Sequence, residues 1–84
     1  MRTNPDSRLN IFATRVKMLR EERGWTQEQL AARLGTTKSL ICYYENAARE
    51  PKMTMLAKMT DVFDETAEYL MGGTNIRRLK KIAN

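Results

Sequence analysis

The side chains in this sequence that can do chemistry are cations, carboxylates, hydroxyls and amides, and none of them has the spacing of a catalytic or metal-binding motif. The chain has 84 residues, no histidine and one cysteine, Cys42. It contains no glycine-rich phosphate loop and no cluster with metal-ligand spacing. No second cysteine or histidine stands beside Cys42 to activate its thiol, so we interpret it as a passive small residue rather than a redox sensor. We therefore expect no enzyme activity, no catalytic residue, and neither a metal nor another cofactor.

Several hydrogen-bonding side chains occur between positions 37 and 46. With the 3.6-residue period of a helix, the apolar Ile41 and Tyr44 lie on one face of this segment. Four other side chains lie on the opposite face: Lys38, Ser39, Cys42 and Tyr43. Such a face can donate and accept several hydrogen bonds at once, which is the chemistry of recognising a polar surface rather than of breaking bonds.

The sequence before this segment predicts another helix, which begins at a capping box. The Thr26 hydroxyl can accept from the N–H of Gln29, and the Gln29 side chain can accept from the N–H of Thr26. Trp25 and Leu30 have the spacing of a hydrophobic staple, which sets the angle at which the chain enters the helix. We therefore interpret Trp25 as a core residue rather than a binding platform.

The two helices are separated by a tight turn. Gly35 ends the helix that begins at the capping box. Thr36 and Thr37 offer a cap for the next helix, which is predicted to run to about Asn46. Two short helices joined in this way form a helix-turn-helix, a unit that can place its second helix in a DNA major groove about 12 Å wide. The spacing of these residues is therefore typical of a DNA-reading element.

Helical periodicity predicts three further helices and no strands. The first helix covers about residues 7–23, the fourth ends near Phe63, and a short fifth ends at Gly72. The fold is therefore predicted to be all-α, with five helices over residues 1–73, followed by a basic tail, residues 74–84, that can form a further helical turn or two. Four methionines are expected to fill gaps in the core: Met53, Met55, Met59 and Met71.

Most of the net charge lies in this tail. The net charge is +5, and four of the 15 basic side chains are Arg77, Arg78, Lys80 and Lys81. Charge alone therefore does not identify nucleic acid as the partner. A disordered solubilising end, a DNA-backbone arm and a dimer contact are equally compatible with the tail. No apolar run reaches the roughly 18 residues of a membrane span, so we expect a cytoplasmic protein without a membrane partner.

Several motifs together resemble the phage repressor and Cro helix-turn-helix family, also called the XRE type. They cover about residues 9–73 and agree in spacing and order: Thr26-Gln27-x-Gln29-Leu30-Ala31, Gly35-Thr36-Thr37, Glu45-Asn46 and Tyr69-Leu70-Met71-Gly72. The resemblance implies a lambda-repressor-like DNA-binding domain in a sequence-specific transcriptional regulator, usually a repressor. It implies double-stranded operator DNA as the partner, bound by a homodimer on a palindromic site, and no small-molecule ligand.

The same resemblance implies roles for individual residues. Gln27 matches a phosphate contact that sets the docking angle, and Asn46 and Arg49 match positions that clamp the DNA backbone. Arg20 and Glu45 match an interhelical ion pair that braces the reading helix. The full set of implied DNA-binding residues is Gln27, Thr37, Lys38, Ser39, Cys42, Tyr43, Asn46 and Arg49.

Three departures from the family pattern lie outside the helix-turn-helix. Ala47 occupies a position where glycine is common, which predicts either a different loop or strain at positive φ. Asp64 and Glu65 replace a glycine and an apolar residue, and Lys52 is a poor helix cap. Because a fold does not define a function, a protein-interaction module such as an antitoxin or an adaptor is the rival hypothesis.

Overall fold

Five helices joined by short loops make up most of residues 7–77, the part of the chain that the computed structural model describes. Their bounds are α1 (Ser7–Glu22), α2 (Gln27–Leu34), α3 (Lys38–Glu45), α4 (Met53–Phe63) and α5 (Ala67–Leu70). No strand occurs within this range, so the predicted all-α, five-helix fold is confirmed. Helices α1 and α3 each end one residue earlier than predicted, a difference within the fraying of helix ends. None of these five helices has the length and apolar character needed to cross a membrane.

Local sequence explains where the central helices begin. At α2 the Thr26 hydroxyl accepts from the Gln29 N–H at 3.0 Å, and the Gln29 side-chain oxygen accepts from the Thr26 N–H at 2.8 Å, which completes the capping box. At α3 the Thr37 hydroxyl accepts from the Leu40 N–H at 3.2 Å. Lys52 precedes α4 and makes no side-chain cap, as its residue type predicts.

A hydrophobic core lies between the helices, and every helix contributes to it. Its fully buried members are Phe12, Val16, Leu19, Leu30, Leu34, Ile41, Met59, Phe63 and Leu70. The Phe12 and Tyr44 rings meet edge to face with centroids 5.7 Å apart, so α3 packs directly on α1. Trp25 is half-buried and stacks on Phe63 with centroids 6.3 Å apart, which supports its interpretation as a core residue.

Met53 does not fill the core, and the prediction that it does is wrong. Met59 is fully buried, and Met55 and Met71 are partly buried against the core, but Met53 is 84% exposed. Met53 is the first residue of α4, and at 3.6 residues per turn it lies roughly 200° around the helix axis from Met55. The face that buries Met55 and Met59 therefore turns Met53 towards solvent.

Residues 74–77, called here the C-terminal segment, are not helical and pack against α1. The Arg15 guanidinium donates to the Thr74 carbonyl and to Asn75 Oδ1, each at 2.7 Å. It also donates to the Tyr69 carbonyl and lies over the Tyr69 ring, 4.1 Å from its centroid. One arginine of α1 therefore connects α5 with the C-terminal segment.

Arg77 ties the C-terminal segment to two carboxylates. Its Nη1 and Nη2 each donate to Glu22 at 3.0 Å, and its Nε donates to the buried Glu65 at 2.9 Å. These hydrogen bonds raise the pKa of Arg77 and lower the pKa of Glu22. The residues needed for a further helical turn, Leu79, Ile82 and Ala83, lie outside the described residues, and the domain boundary at residue 73 stays a prediction.

Replacing Arg77 with alanine is expected to lower the free energy of unfolding by about 1 kcal/mol at pH 7, because the buried Glu65 loses a charged partner. Because the pKa of Glu22 is lower in the folded protein than in the unfolded chain, its ionised carboxylate stabilises the fold. This stabilisation is fully present above the unfolded pKa of about 4.3 and is lost as the pH falls through the pKa of the folded protein. Urea unfolding of the wild type and the variant between pH 7 and pH 2 measures both effects.

The difference in free energy of unfolding between the wild type and Arg77→Ala should shrink as the pH falls. Lys17→Ala, which removes an exposed cation from α1, is the control and should change stability by less than about 0.5 kcal/mol. An equal loss in both variants would contradict the assigned role of Arg77.

Candidate nucleic-acid interface

The outer face of α3 is a polar surface, and the side chains on the inner face of the same helix are buried in the core. On the inner face, Ile41 is fully buried and Tyr44 is 3% exposed. Lys38, Ser39 and Tyr43 are exposed on the outer face, where Tyr43 has 48% of its surface accessible. The structure therefore places these three predicted site residues together on one side of a short helix.

Thr37 and Asn46 lie at the two ends of α3, Cys42 lies on its outer face, and all three take part in structural hydrogen bonds. Thr37 is exposed, and its hydroxyl caps the start of α3. The exposed Asn46 side chain donates to the Cys42 carbonyl at 2.9 Å and to Cys42 Sγ at 3.3 Å, next to the end of α3. Cys42 is half-buried, so it is less accessible than the other three side chains of the outer face, Lys38, Ser39 and Tyr43.

The turn between α2 and α3 depends on a glycine in the left-handed conformation. Gly35 has a φ of +69°, which a residue with a Cβ adopts only at a steric cost. The N–H groups of Gly35 and Thr36 donate to the carbonyls of Ala32 and Ala31 at 3.2 and 2.9 Å, which forms a Schellman motif. The chain reverses there, so α3 begins shortly after α2 ends.

An ion pair joins α3 to α1 beneath the polar surface. Arg20 Nε donates to Glu45 Oε2 at 2.6 Å, and Arg20 Nη2 donates to Glu45 Oε1 at 3.0 Å. Only 11% of the Arg20 side chain and 4% of the Glu45 side chain are exposed, and Arg20 also donates to the Trp25 carbonyl at 2.8 Å. The hydrogen bond to Glu45 raises the pKa of Arg20. A two-point pair of this geometry restricts the rotation of α3 relative to α1.

Gln27, the first residue of α2, is bound to the same carboxylate. Its side chain is half-buried, and its Nε2 donates to Glu45 Oε1 at 3.0 Å. The start of α2, where the first backbone N–H groups have no partner within the helix, is therefore fixed relative to α3. Contact between Gln27 and a phosphate stays a prediction.

The loop after α3 has backbone strain at Ala47, which is the second of the two alternatives predicted for this position. Ala47 has a φ of +57°, a conformation that costs a residue with a Cβ about 1–2 kcal/mol. The N–H groups of Ala47 and Ala48 donate to the carbonyls of Tyr44 and Tyr43 at 3.2 and 2.8 Å, which forms a Schellman motif without glycine. The chain turns back at this point and brings the Arg49 guanidinium to 5.2 Å from the Tyr43 ring centroid.

Substituting Ala47 with glycine is expected to stabilise the protein by about 0.5–1 kcal/mol. The relief of left-handed strain exceeds the additional backbone entropy that glycine loses on folding. The urea midpoint measures the gain, and Ala48→Gly is the control because Ala48 does not have a positive φ. The control should destabilise the protein, and a similar loss for Ala47→Gly would contradict the left-handed assignment.

Sequence reasoning missed a basic pocket beside the loop between α3 and α4. The pocket has a volume of about 220 Å³ and is lined by Leu40, Tyr44, Arg49, Glu50, Lys52, Thr54 and Met55. Helix α4 starts beside it without a side-chain cap. Burial raises the pKa of the Tyr44 hydroxyl, and the charge of Arg49 opposes that rise. The available signal in the sequence was a poor helix cap, Lys52, close to a second cation, Arg49.

This arrangement defines the class of protein. Two short helices joined by a tight turn present the outer face of the second helix, while the remaining helices supply the core, as in helix-turn-helix domains. A helix-turn-helix family model matches residues 16–70, and the chain belongs to this family. The family resemblance predicted from the sequence motifs is therefore confirmed.

Relatives and solved structures agree with this assignment. The HTH-type transcriptional regulator AnsR of Bacillus subtilis is 36% identical over 58 residues, which cover 69% of this chain and 50% of AnsR, so the chain spans about half the length of that relative. The P22 c2 repressor in complex with a synthetic operator shares the fold, with a TM-score of 0.72, 21% identity, and coverage of 75% of this chain and 96% of its own. The restriction-modification controller protein C.AhdI from Aeromonas hydrophila has a TM-score of 0.68, 27% identity, and coverage of 74% and 94%.

Proposed function

We propose that this protein is a DNA-binding transcriptional regulator that reads operator DNA with α3 in the major groove. The observation that carries the proposal is the outward position of Lys38, Ser39 and Tyr43 above the buried Ile41 and Tyr44. A major groove about 12 Å wide admits one α-helix. The relatives support the proposal, because AnsR is a transcriptional regulator and the P22 c2 repressor was solved on an operator.

The three outward side chains provide different contacts to base edges. The Lys38 ammonium can donate to guanine O6 or N7, and the Ser39 hydroxyl can pair with several bases because it both donates and accepts. The Tyr43 ring can contact a thymine methyl group, and its hydroxyl can also donate. Base preference should therefore depend most strongly on Lys38, whose charge-assisted hydrogen bonds are the strongest of this set.

Side chains and backbone groups next to α3 are proposed to contact the DNA backbone. One group is Gln27 and the N–H groups of the first turn of α2, since an anion is favoured at such a helix start. The other is Asn46 and Arg49, which follow α3, and Lys52 at the uncapped start of α4. Contacts of this kind position the protein without selecting a sequence.

We further propose that the protein acts as a repressor and binds its operator as a homodimer. One reading helix contacts only a few base pairs, and two copies related by a twofold axis read a palindrome whose half-sites lie about 34 Å apart. Occupation of the operator would block or position RNA polymerase. Selection of bound sites from random DNA tests the proposal, and a symmetric consensus with this spacing is the expected result.

Lys38→Ala is expected to weaken binding to the selected duplex by about 1–3 kcal/mol and to relax the preference at one base pair. Gln27→Ala is expected to weaken binding to all duplexes about equally, because a phosphate contact is independent of sequence. Titration of each variant against the consensus and against single-base-pair changes measures both effects. Lys58→Ala, which removes an exposed cation from α4, is the control. Equal losses on every duplex for Lys38→Ala would argue against direct reading by this residue.

The salt dependence of binding separates DNA recognition from the rival role as a protein-interaction module. For each phosphate neutralised, the logarithm of the binding constant should fall with a slope of about −0.9 against the logarithm of salt concentration. Binding of a protein partner through an apolar surface would respond weakly. A chain without a salt-dependent affinity for any selected duplex would favour the rival.

A further inference from the structure

Arg49 and Tyr43 form a cation–π pair on the surface proposed to face DNA. The Arg49 Cζ atom lies 5.2 Å from the centroid of the Tyr43 ring, which is within the range of a cation–π contact. Arg49 is exposed, and Tyr43 has 48% of its surface accessible. Both members of the pair are therefore accessible from solvent.

The backbone holds both members of the pair in place. Tyr43 belongs to α3, whose orientation is anchored by the fully buried Ile41. Arg49 follows the left-handed Ala47, and the Ala48 N–H donates to the Tyr43 carbonyl at 2.8 Å. The loop that carries the arginine is thus hydrogen-bonded to the residue whose ring the arginine contacts.

Such a cation–π contact restricts the orientation of an exposed ring. A tyrosine without neighbours samples several χ1 rotamers, and only some of them direct its hydroxyl and ring edge at one base pair. A guanidinium against one side of the ring disfavours rotamers that break the contact. The planar guanidinium suits this role better than a lysine ammonium, because it stacks on aromatic faces.

We propose that Arg49 determines base preference through Tyr43, because the guanidinium over one face of the ring positions that ring against the base pair that the tyrosine reads. Arg49 is then a positioning residue for sequence reading as well as a contact to the DNA backbone. This inference rests on the proposed function and names a residue that sets its selectivity. A backbone contact alone would make the contribution of Arg49 equal for every sequence.

A double-mutant cycle measured as base preference tests this inference. Wild type, Arg49→Ala, Tyr43→Ala and the double variant are titrated at one salt concentration against the consensus duplex and against duplexes with single base-pair changes. Arg49→Ala is expected to reduce the preference about 2–5-fold, at the same base pair as Tyr43→Ala. In the Tyr43→Ala background, the loss of Arg49 is expected to reduce that preference no further.

Two additional variants separate stacking from charge. Arg49→Lys keeps the charge but loses the planar guanidinium that lies over the ring, so its base preference should resemble that of Arg49→Ala while its overall affinity stays higher. Lys58→Ala removes a cation elsewhere on the surface, and the preference at the base pair of Tyr43 should remain that of the wild type.

An affinity loss for Arg49→Ala that is equal on all duplexes overturns the inference, as does a loss of preference at a base pair that Tyr43→Ala does not affect. In both cases the wild type still prefers its consensus, so the proposed function stands. A wild type without any base preference overturns the proposed function and this inference together.

Discussion

Glu45→Ala is expected to lower the free energy of unfolding by about 3 kcal/mol, since it leaves the Arg20 guanidinium largely buried without its partner. The same change removes the hydrogen-bond acceptor of Gln27. A domain of this size has a total stability of only about 5–10 kcal/mol, so the loss is a large part of it. Urea unfolding followed by the fluorescence of Trp25, the only tryptophan of the chain, measures the effect.

Glu21 provides a matched control for this ion pair. Its carboxylate lies 4.0 Å from the same Arg20, but its side chain is 58% exposed, so Glu21→Ala should cost less than about 1 kcal/mol. The combined change Arg20→Met and Glu45→Leu should be less destabilising than Glu45→Ala, because no buried charge remains unpaired. A loss for Glu45→Ala no larger than that for Glu21→Ala would show that the pair does not brace α3.

Ile41→Ala is expected to cost about 2–5 kcal/mol of stability, because it empties a fully buried site under α3. Ile41→Val removes one methylene from the same site and should cost about 0.5–1.5 kcal/mol. Thermal unfolding followed by circular dichroism of the free protein measures both changes.

Lys38→Ala serves as the opposite-face control in the same measurement. Lys38 is exposed, so its loss should change stability by less than about 0.5 kcal/mol. The three variants together test the orientation of α3 without DNA. The orientation would be refuted if Lys38→Ala destabilised the protein as much as Ile41→Ala.

Helix starts and the two faces of α3 could be predicted from the sequence because their signals are local. Thr26 and Gln29 are three residues apart and cap the same helix turn, so their partnership follows from spacing alone. Ile41 and Tyr44 are likewise assigned to one face by helical period. The structure adds the packing of Tyr44 on Phe12, which local spacing does not specify.

Contacts between distant segments could not be predicted in this way. From the sequence Arg77 is one charge of a basic tail, yet it binds Glu22 and the buried Glu65. The family resemblance assigns Gln27 to a phosphate, but in the structure its amide also donates to Glu45. Which long polar side chain meets which partner depends on how the helices pack, and helical period carries no information about that.

The C-terminal segment has a consequence for the kinetics of folding. Arg15 and Thr74 are 59 positions apart in the chain, and Glu22 and Arg77 are 55 positions apart. Closing loops of this length before the core has formed costs entropy that a few polar contacts do not offset. We therefore expect these contacts to form after the transition state, so that they slow the unfolding rate and leave the folding rate nearly unchanged. The segment then contributes to kinetic stability, because slower unfolding prolongs the lifetime of the native state.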